Sequence, residues 1–439
     1  MTDVRAIVYD ALLVAEDGAP THSLASDVLD KYSYLDVKDR SFIKRLIEGV
    51  TERRITLDHI IASYSSHPVP KMKKQIRVLL RMGTYQLLFM DSVADHAAVN
   101  ETVKLAKKAG FARLTGFVNG ILRKIASNRD ALPWPDEVCG PEKYLSVRYS
   151  CPEWIVSKLV AEQGRRNAED ILKLSVSVRP VTARVNLSKT TVDAVTAAGC
   201  ADPSDVFPGA VILKDYDNIT GIGAFCDGSI CIQDISSMIA VAVAGIKETD
   251  TVLDLCASPG GKSLHAADLA VRGKVISCDV SEQKIAAISE NVSRCGFGNV
   301  ETVISDATKY REEFEGIADV VIADVPCSGL GVMGRKNDIK YNLTEEAILS
   351  LADLQRRILA NAAKYVRKGG ILMFSTCTCS RGENQDNARY LTEECGLTPV
   401  GFYDELPEAV RDETAKDGWL QLYGRDGITD GFFMAKFTK

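Results

Sequence analysis

From residue 236 onward, β-branched runs alternate with helical stretches, an order that leaves few folds open. Segments 251–255, 274–278, 300–305, 319–323 and 370–375 read as strands, and 263–272, 281–295 and 344–367 as the helices joining them. A last strand follows from Gly431 to Phe437. Strand–helix–strand alternation builds a parallel, doubly wound sheet, which takes ligands at the carboxyl ends of its strands. Asp254, Asp279, Asp306 and Asp324 all stand at such ends. One aspartate there is as readily a helix cap as a ligand, but four in register point to a ligand.

The first 130 residues have a different texture. Val4, Ile7, Val8, Ala11 and Leu12 recur at helical spacing, as do Phe42, Ile43, Leu46, Ile47 and Val50, then Ile76, Leu79, Leu80 and Leu87. An all-α bundle over 1–135 is expected. Pro133, Pro135, Gly140 and Pro141 break the run. A helix over 152–163 and strands over 181–187 and 210–213 make 141–235 a small α/β connector, and 236–439 is the Rossmann-like domain. With 439 residues, 46% of them hydrophobic and 26% charged, the chain is a multidomain globular protein.

The start at Met1 has no apolar leader, and the apolar run 239–246 is too short for a membrane span, so a cytoplasmic protein with no membrane partner is expected. Its 12 cysteines are scattered and never paired as CxxC, which favours free thiols and no metal site. Residues 1–130 hold 20 Lys and Arg against 15 Asp and Glu, whereas the remainder holds 33 against 44. A basic head on an acidic body hints at a polyanionic partner.

The loop after the first of these strands runs Cys256, Ala257, Ser258, Pro259, Gly260, Gly261, Lys262. Its glycines admit a ligand close to the backbone at a helix N-terminus. It lacks the GxGxxG of dinucleotide folds, and Cys256 stands where a P-loop needs its first glycine, although 320–324 mimics a Walker-B strand. S-adenosylmethionine fits better. It offers a ribose to Asp279, which lies 19 residues beyond Gly260, and an adenine to Asp306, and it has no phosphate needing a basic cradle.

Cys327, three residues past Asp324, and Cys377 sit at strand ends beside that loop. Carbon 5 of a pyrimidine is a poor nucleophile until a thiolate adds to carbon 6. The chemistry therefore needs a cysteine, a group that shares charge with ring nitrogen 3 (Asp324 is placed for it), and a base. Cys278, Cys295 and Cys395 read as small buried hydrophobes, while Cys256 and Cys379 stay open. Spacing does not choose between Cys327 and Cys377.

The runs 254–262, 324–329 and 375–379, with Asp234 and the ending 429–437, resemble the RNA cytosine-5 methyltransferases. The runs 83–88, 96–101 and 117–123 resemble the NusB-like RNA-binding bundle. Their pairing, joined by 150–154 and 183–186, is similar to the bacterial small-subunit (16S) ribosomal RNA enzymes of the RsmB (Sun/Fmu) type. The resemblance implies that Cys377 is the nucleophile and that Cys327 assists release of the methylated RNA. It also implies that residues 256–262 form the methionine-side loop and that Asp279, Asp306 and Asp324 complete the cofactor site. Asn337 and Tyr341 depart from the family's usual proline and tryptophan, and are expected to adjust RNA contacts. Lys71, Lys73, Lys74, Arg77 and Arg81, with Lys104, Lys107 and Lys108, are expected to meet phosphates of ribosomal RNA. A monomer is expected. The rival readings are a NusB-type RNA-binding transcription factor carrying an inactive Rossmann remnant, and a P-loop ATPase.

Overall fold

The computed structural model describes residues 3–216, 218–425 and 427–439. Met1 and Thr2, at the head of the segment read for a leader, lie outside them. The chain divides into two compact units, Met1–Ser177 with Met333–Asn342, and Val178–Val332 with Leu343–Lys439. The expected fold classes are found: a helical bundle in the first unit and a Rossmann-like sheet in the second.

Seven helices, from Val4–Glu16 to Thr115–Ser127, make the bundle. Asp3 and Asp36 cap two of them by accepting the amides of Ala6 and Asp39 at 3.2 and 2.8 Å. The apolar stripes seen in the sequence meet inside: Ile43, Leu46, Leu79, Leu122 and Ile125 are fully buried. Helices Pro141–Arg148 and Glu153–Leu174 follow, the second breaking at Gly164, which takes a φ of 76°. Segment Met333–Asn342 also belongs to this unit. Tyr341 is half-buried there, its hydroxyl 3.0 Å from the Glu52 carbonyl and 3.1 Å from that of Ser150, with the Arg54 guanidinium 3.8 Å over its ring. Its hydroxyl ties this segment to the helices of the unit.

The second unit opens with four short antiparallel strands: β1 (Thr182–Val185), β2 (Ala201–Pro203), β3 (Ala210–Leu213) and β4 (Ile230–Ile232), in the order β2-β3-β1-β4. Arg184 of β1 is buried and reaches Asp268 at 2.5 Å, which joins this sheet to helix Gly261–Leu269. The main sheet holds β5 (Thr251–Asp254), β6 (Lys274–Asp279), β7 (Val300–Ile304), β8 (Ala318–Asp324), β9 (Val366–Thr376), β10 (Thr398–Pro399), β11 (Trp419–Tyr423) and β12 (Gly431–Thr438). Its order is β10-β12-β9-β8-β5-β6-β7, with β11 also on β12. Strands β5 to β9 are parallel and β12 runs antiparallel to β9. The order reverses between β5 and β8, the switch point at which such sheets open a crevice. Asp254 and Asp324 end the two strands that flank it.

Two backbones cross tightly beside that crevice. A side chain on Gly331 would meet the Gly431 carbonyl oxygen at 1.9 Å, and the Gly331 amide donates to the Cys377 carbonyl at 3.1 Å. Gly331→Ala is expected to cost about 1–3 kcal/mol and to lower the melting temperature; an unchanged melt contradicts this close approach. Asp254 carries a second test. Burial raises its carboxyl from 3.8 to about 7, against the opposing bond from Ser263. The folded state then holds a proton that the unfolded chain releases, so this group's contribution falls as pH rises from about 4 to 7. Asp254→Asn removes the penalty. Its stability relative to the parent is expected to climb across that window, by on the order of 4 kcal/mol, in urea titrations at fixed pH.

Candidate active site

Every predicted site residue lies in the second unit. After β5 the chain turns through Cys256 to Gly260, and helix Gly261–Leu269 begins. Gly260 takes a φ of 109°, left-handed backbone that other residues resist. The Ala257 amide is held by the Cys278 carbonyl at 2.9 Å, so β6 fixes the turn. Asp279, at the end of β6, accepts from the Ser258 amide at 3.0 Å and the Val280 amide at 2.7 Å, and pairs with Lys284 at 2.9 Å. A carboxylate has about four acceptor positions, which leaves one for a ligand hydroxyl.

Gln233 flanks Gly261. Its side chain is buried, and neither its amide oxygen nor its amide nitrogen has a hydrogen-bond partner. A buried amide in that state calls for a polar ligand. Asp306 lies just past β7, half-buried, and accepts from the Thr308 amide at 3.0 Å and its hydroxyl at 2.7 Å. Those bonds hold its carboxyl below the usual range. The cradle thus offers acceptors at the ends of β6 and β7, an unsatisfied amide, and backbone open to close approach. That donor and acceptor set suits a nucleoside bearing an amino-acid tail.

The parallel register of β8 and β9 places Asp324 opposite Ser375, and the chain leaves both strands into cysteine-bearing loops. The two sulfurs, Cys327 Sγ and Cys377 Sγ, are 3.3 Å apart. Contact with Cys377, burial, and the nearby Glu383 and Asp324 raise the Cys327 thiol well above its usual value, so Cys327 keeps its proton. Lys262 reaches Asp324 at 2.6 Å and Ser237 Oγ at 3.2 Å. Burial opposes its charge, but Asp324, then Asp254 and Cys377, raise its pKa, so it stays an ammonium. Ser375 donates to the other Asp324 oxygen at 2.7 Å. Cys256 and Cys379, left open by the sequence, are both pushed up by burial.

The sequence did not single out what holds the two loops. Glu383 is fully buried and accepts from the Ser328 amide at 2.8 Å and the Gln355 amide at 3.0 Å. It also binds the Ser328 hydroxyl, which lies 2.7 Å from that of Thr378. Asn384 donates to the Thr378 carbonyl at 2.9 Å and to Gln421 at 2.8 Å. An acid and an amide side by side, four residues past the second of two clustered cysteines, were the available signal.

Part of the basic stripe expected on the bundle is differently used, while Lys71, Lys73, Lys104, Lys107 and Lys108 stay exposed. Arg81 is buried, bonded to Asp58 at 2.7 Å and to Glu16 at 2.5 Å, and Arg77 reaches Glu16 at 2.6 Å. Lys74 pairs with Asp17 at 2.7 Å. These arginines knit helices together. Among the described residues no group of three or more His, Cys, Asp or Glu side chains is arranged to hold a metal, and no helix is long and apolar enough to cross a membrane.

Comparisons with known proteins agree with this architecture. Residues 241–438 match the family described as 16S rRNA methyltransferase RsmB/F, and residues 3–127 match the NusB family. The probable ribosomal RNA small subunit methyltransferase B of Bacillus subtilis is 34% identical over 100% of this chain and 99% of its own length. The ribosomal RNA small subunit methyltransferase B of Sodalis glossinidius is 30% identical, over 92% of this chain and 91% of its own. The solved structure of PH0851 is 24% identical, with a TM-score of 0.78 over 100% of this chain and 99% of that one, and shares the fold. The chain belongs to the ribosomal RNA small-subunit methyltransferase B (RsmB/F) family, an enzyme family whose cofactor is S-adenosylmethionine.

Proposed function

We propose that the protein methylates carbon 5 of a cytosine in small-subunit ribosomal RNA through a transient bond between Cys377 and carbon 6. The observation that carries this reading is the 3.3 Å contact of two sulfurs at the ends of adjacent strands, one strand from the glycine loop. Residues 256–262, Asp279, Asp306 and Asp324 would hold S-adenosylmethionine, which supplies an electrophilic methyl on a sulfonium. The bundle over 1–135 would hold RNA, with 141–235 as connector and 236–439 as the catalytic domain.

The two sulfurs have unequal surroundings, and this supports unequal roles. Cys327 faces Asp324 and Glu383 and keeps its proton, which it can donate to the other sulfur; Cys377 lies close enough to Lys262 to help keep it an ammonium. Attack by Cys377 as thiolate forms the carbon 6–sulfur bond and moves an electron pair toward ring nitrogen 3. Asp324, anchored by Ser375 and Lys262, stands beside that path. Carbon 5 becomes enamine-like. Once it bears the methyl, its proton must leave to a base, and the electron pair expels Cys377 from carbon 6. Cys327, within hydrogen-bond reach of the departing sulfur, assists that release. A cytosine stacked in a duplex cannot admit sulfur and methyl donor together, so the target base must be unstacked.

Radiolabelled S-adenosylmethionine with unmodified 16S ribosomal RNA is expected to label the RNA. Cys377→Ala should abolish transfer and leave no covalent protein–RNA species on a denaturing gel. Cys327→Ala should instead accumulate that species while turnover falls at least a hundredfold. Exchanged phenotypes would assign the two sulfurs the opposite way.

A further inference from the structure

A cleft of about 520 Å³ opens in the first unit, within the ~300–1,000 Å³ typical of ligand sites. Its lining sets Arg53, Arg129, Arg148 and Lys173 beside Phe89 and Trp134, against one acid, Asp130. The Arg148 guanidinium lies 5.0 Å from the Trp134 ring centre, and that of Arg53 5.0 Å from Phe89. Trp134 is held in place: His59 contacts the carbonyl of neighbouring Pro133 at 2.7 Å, and the Trp134 amide donates to Leu132 at 3.0 Å.

Flat rings beside guanidinium planes are what an unstacked base requires, and cations around them are what its phosphate requires. Arg148 is exposed and, among the described residues, pairs with no carboxylate. Arg129 and Lys173 have solvent-accessible partners, while Arg53 is largely buried and also donates to the Val176 carbonyl at 2.9 Å. Arg129 meets Asp91 at 2.9 Å, Lys173 meets Glu169 at 3.3 Å and Arg53 meets Glu52 at 3.5 Å. The Asp91 side chain is 96% exposed, and such pairs yield readily to phosphate. The NusB match ends at residue 127, so the likeness to NusB does not supply Trp134, Arg148 or Lys173.

We propose that this cleft seats one unstacked nucleotide of the RNA substrate, its base on Trp134 and Arg148 and its phosphate on Arg129 and Lys173. The proposal rests on the RNA methyltransferase reading above. It adds an RNA contact to the bundle's exposed lysines, where Arg77 and Arg81 are tied to Glu16.

The test is filter binding of the full-length protein to a 16S ribosomal RNA transcript over a series of salt concentrations. Trp134→Ala and Arg148→Glu are each expected to weaken binding about tenfold or more, and Trp134→Phe to retain most of it. Arg148→Ala should flatten the salt slope by about one. Calorimetric binding of S-adenosylmethionine, unchanged in all four variants, reports that the catalytic unit is folded. Parent-like RNA affinity in Trp134→Ala and Arg148→Glu overturns the proposal while leaving the methyltransferase reading standing. Weakening seen only on a protein-containing ribosomal particle also overturns it, by making the occupant a protein. A parent protein that binds no RNA sinks both.

Discussion

Glu383 is a carboxyl group removed from water, and the placement of the two cysteine-bearing loops hangs on it. A buried charge survives only when its lone pairs are filled. Here the donors come from the loop after β8, through Ser328, and from helix Glu345–Tyr365, through Gln355; Thr378, after β9, adjoins through the Ser328 hydroxyl. Satisfying one side chain therefore fixes two loops at once. Sheet pairing alone brings Asp324 level with Ser375. The network decides what the chain does in the next few residues, where the two sulfurs come into contact.

The same economy runs through the glycine loop. Asp279 orders the glycine loop through the Ser258 amide and keeps a free acceptor position. Lys262, a member of that loop, crosses to Asp324 and so links the glycine loop to the end of β8. An ammonium and a carboxylate paired in a low-dielectric crevice are strongly coupled. A change in either is felt by the neighbouring thiols.

Much of this was legible in the chain before any coordinates. Period-two and period-three-to-four patterns are local, so the strands ending in Asp254, Asp279 and Asp324 emerged within a residue or two of their true bounds, and the apolar stripes of several bundle helices were visible without their bounds. Short strands such as β4 and β10, with three and two residues, carry too little pattern to see. What local pattern cannot convey is the partner of a charge. Arg77 and Arg81 look like an RNA-facing stripe until Glu16 and Asp58 arrive from other helices. Glu383 looks like a surface acid until Ser328 and Gln355 surround it. Tyr341 is far in sequence from Glu52 and Ser150, which hold it.

The account stands or falls on which sulfur bonds to the pyrimidine. Ribosomal RNA bearing 5-fluorocytosine traps that bond, because fluorine cannot leave carbon 5 as a proton does and elimination stalls. After incubation with S-adenosylmethionine, protease digestion and mass spectrometry should find the RNA fragment attached to the peptide containing Cys377. Attachment at Cys327, or an enzyme that turns over the unmodified RNA without ever being trapped by the fluorinated one, would contradict it.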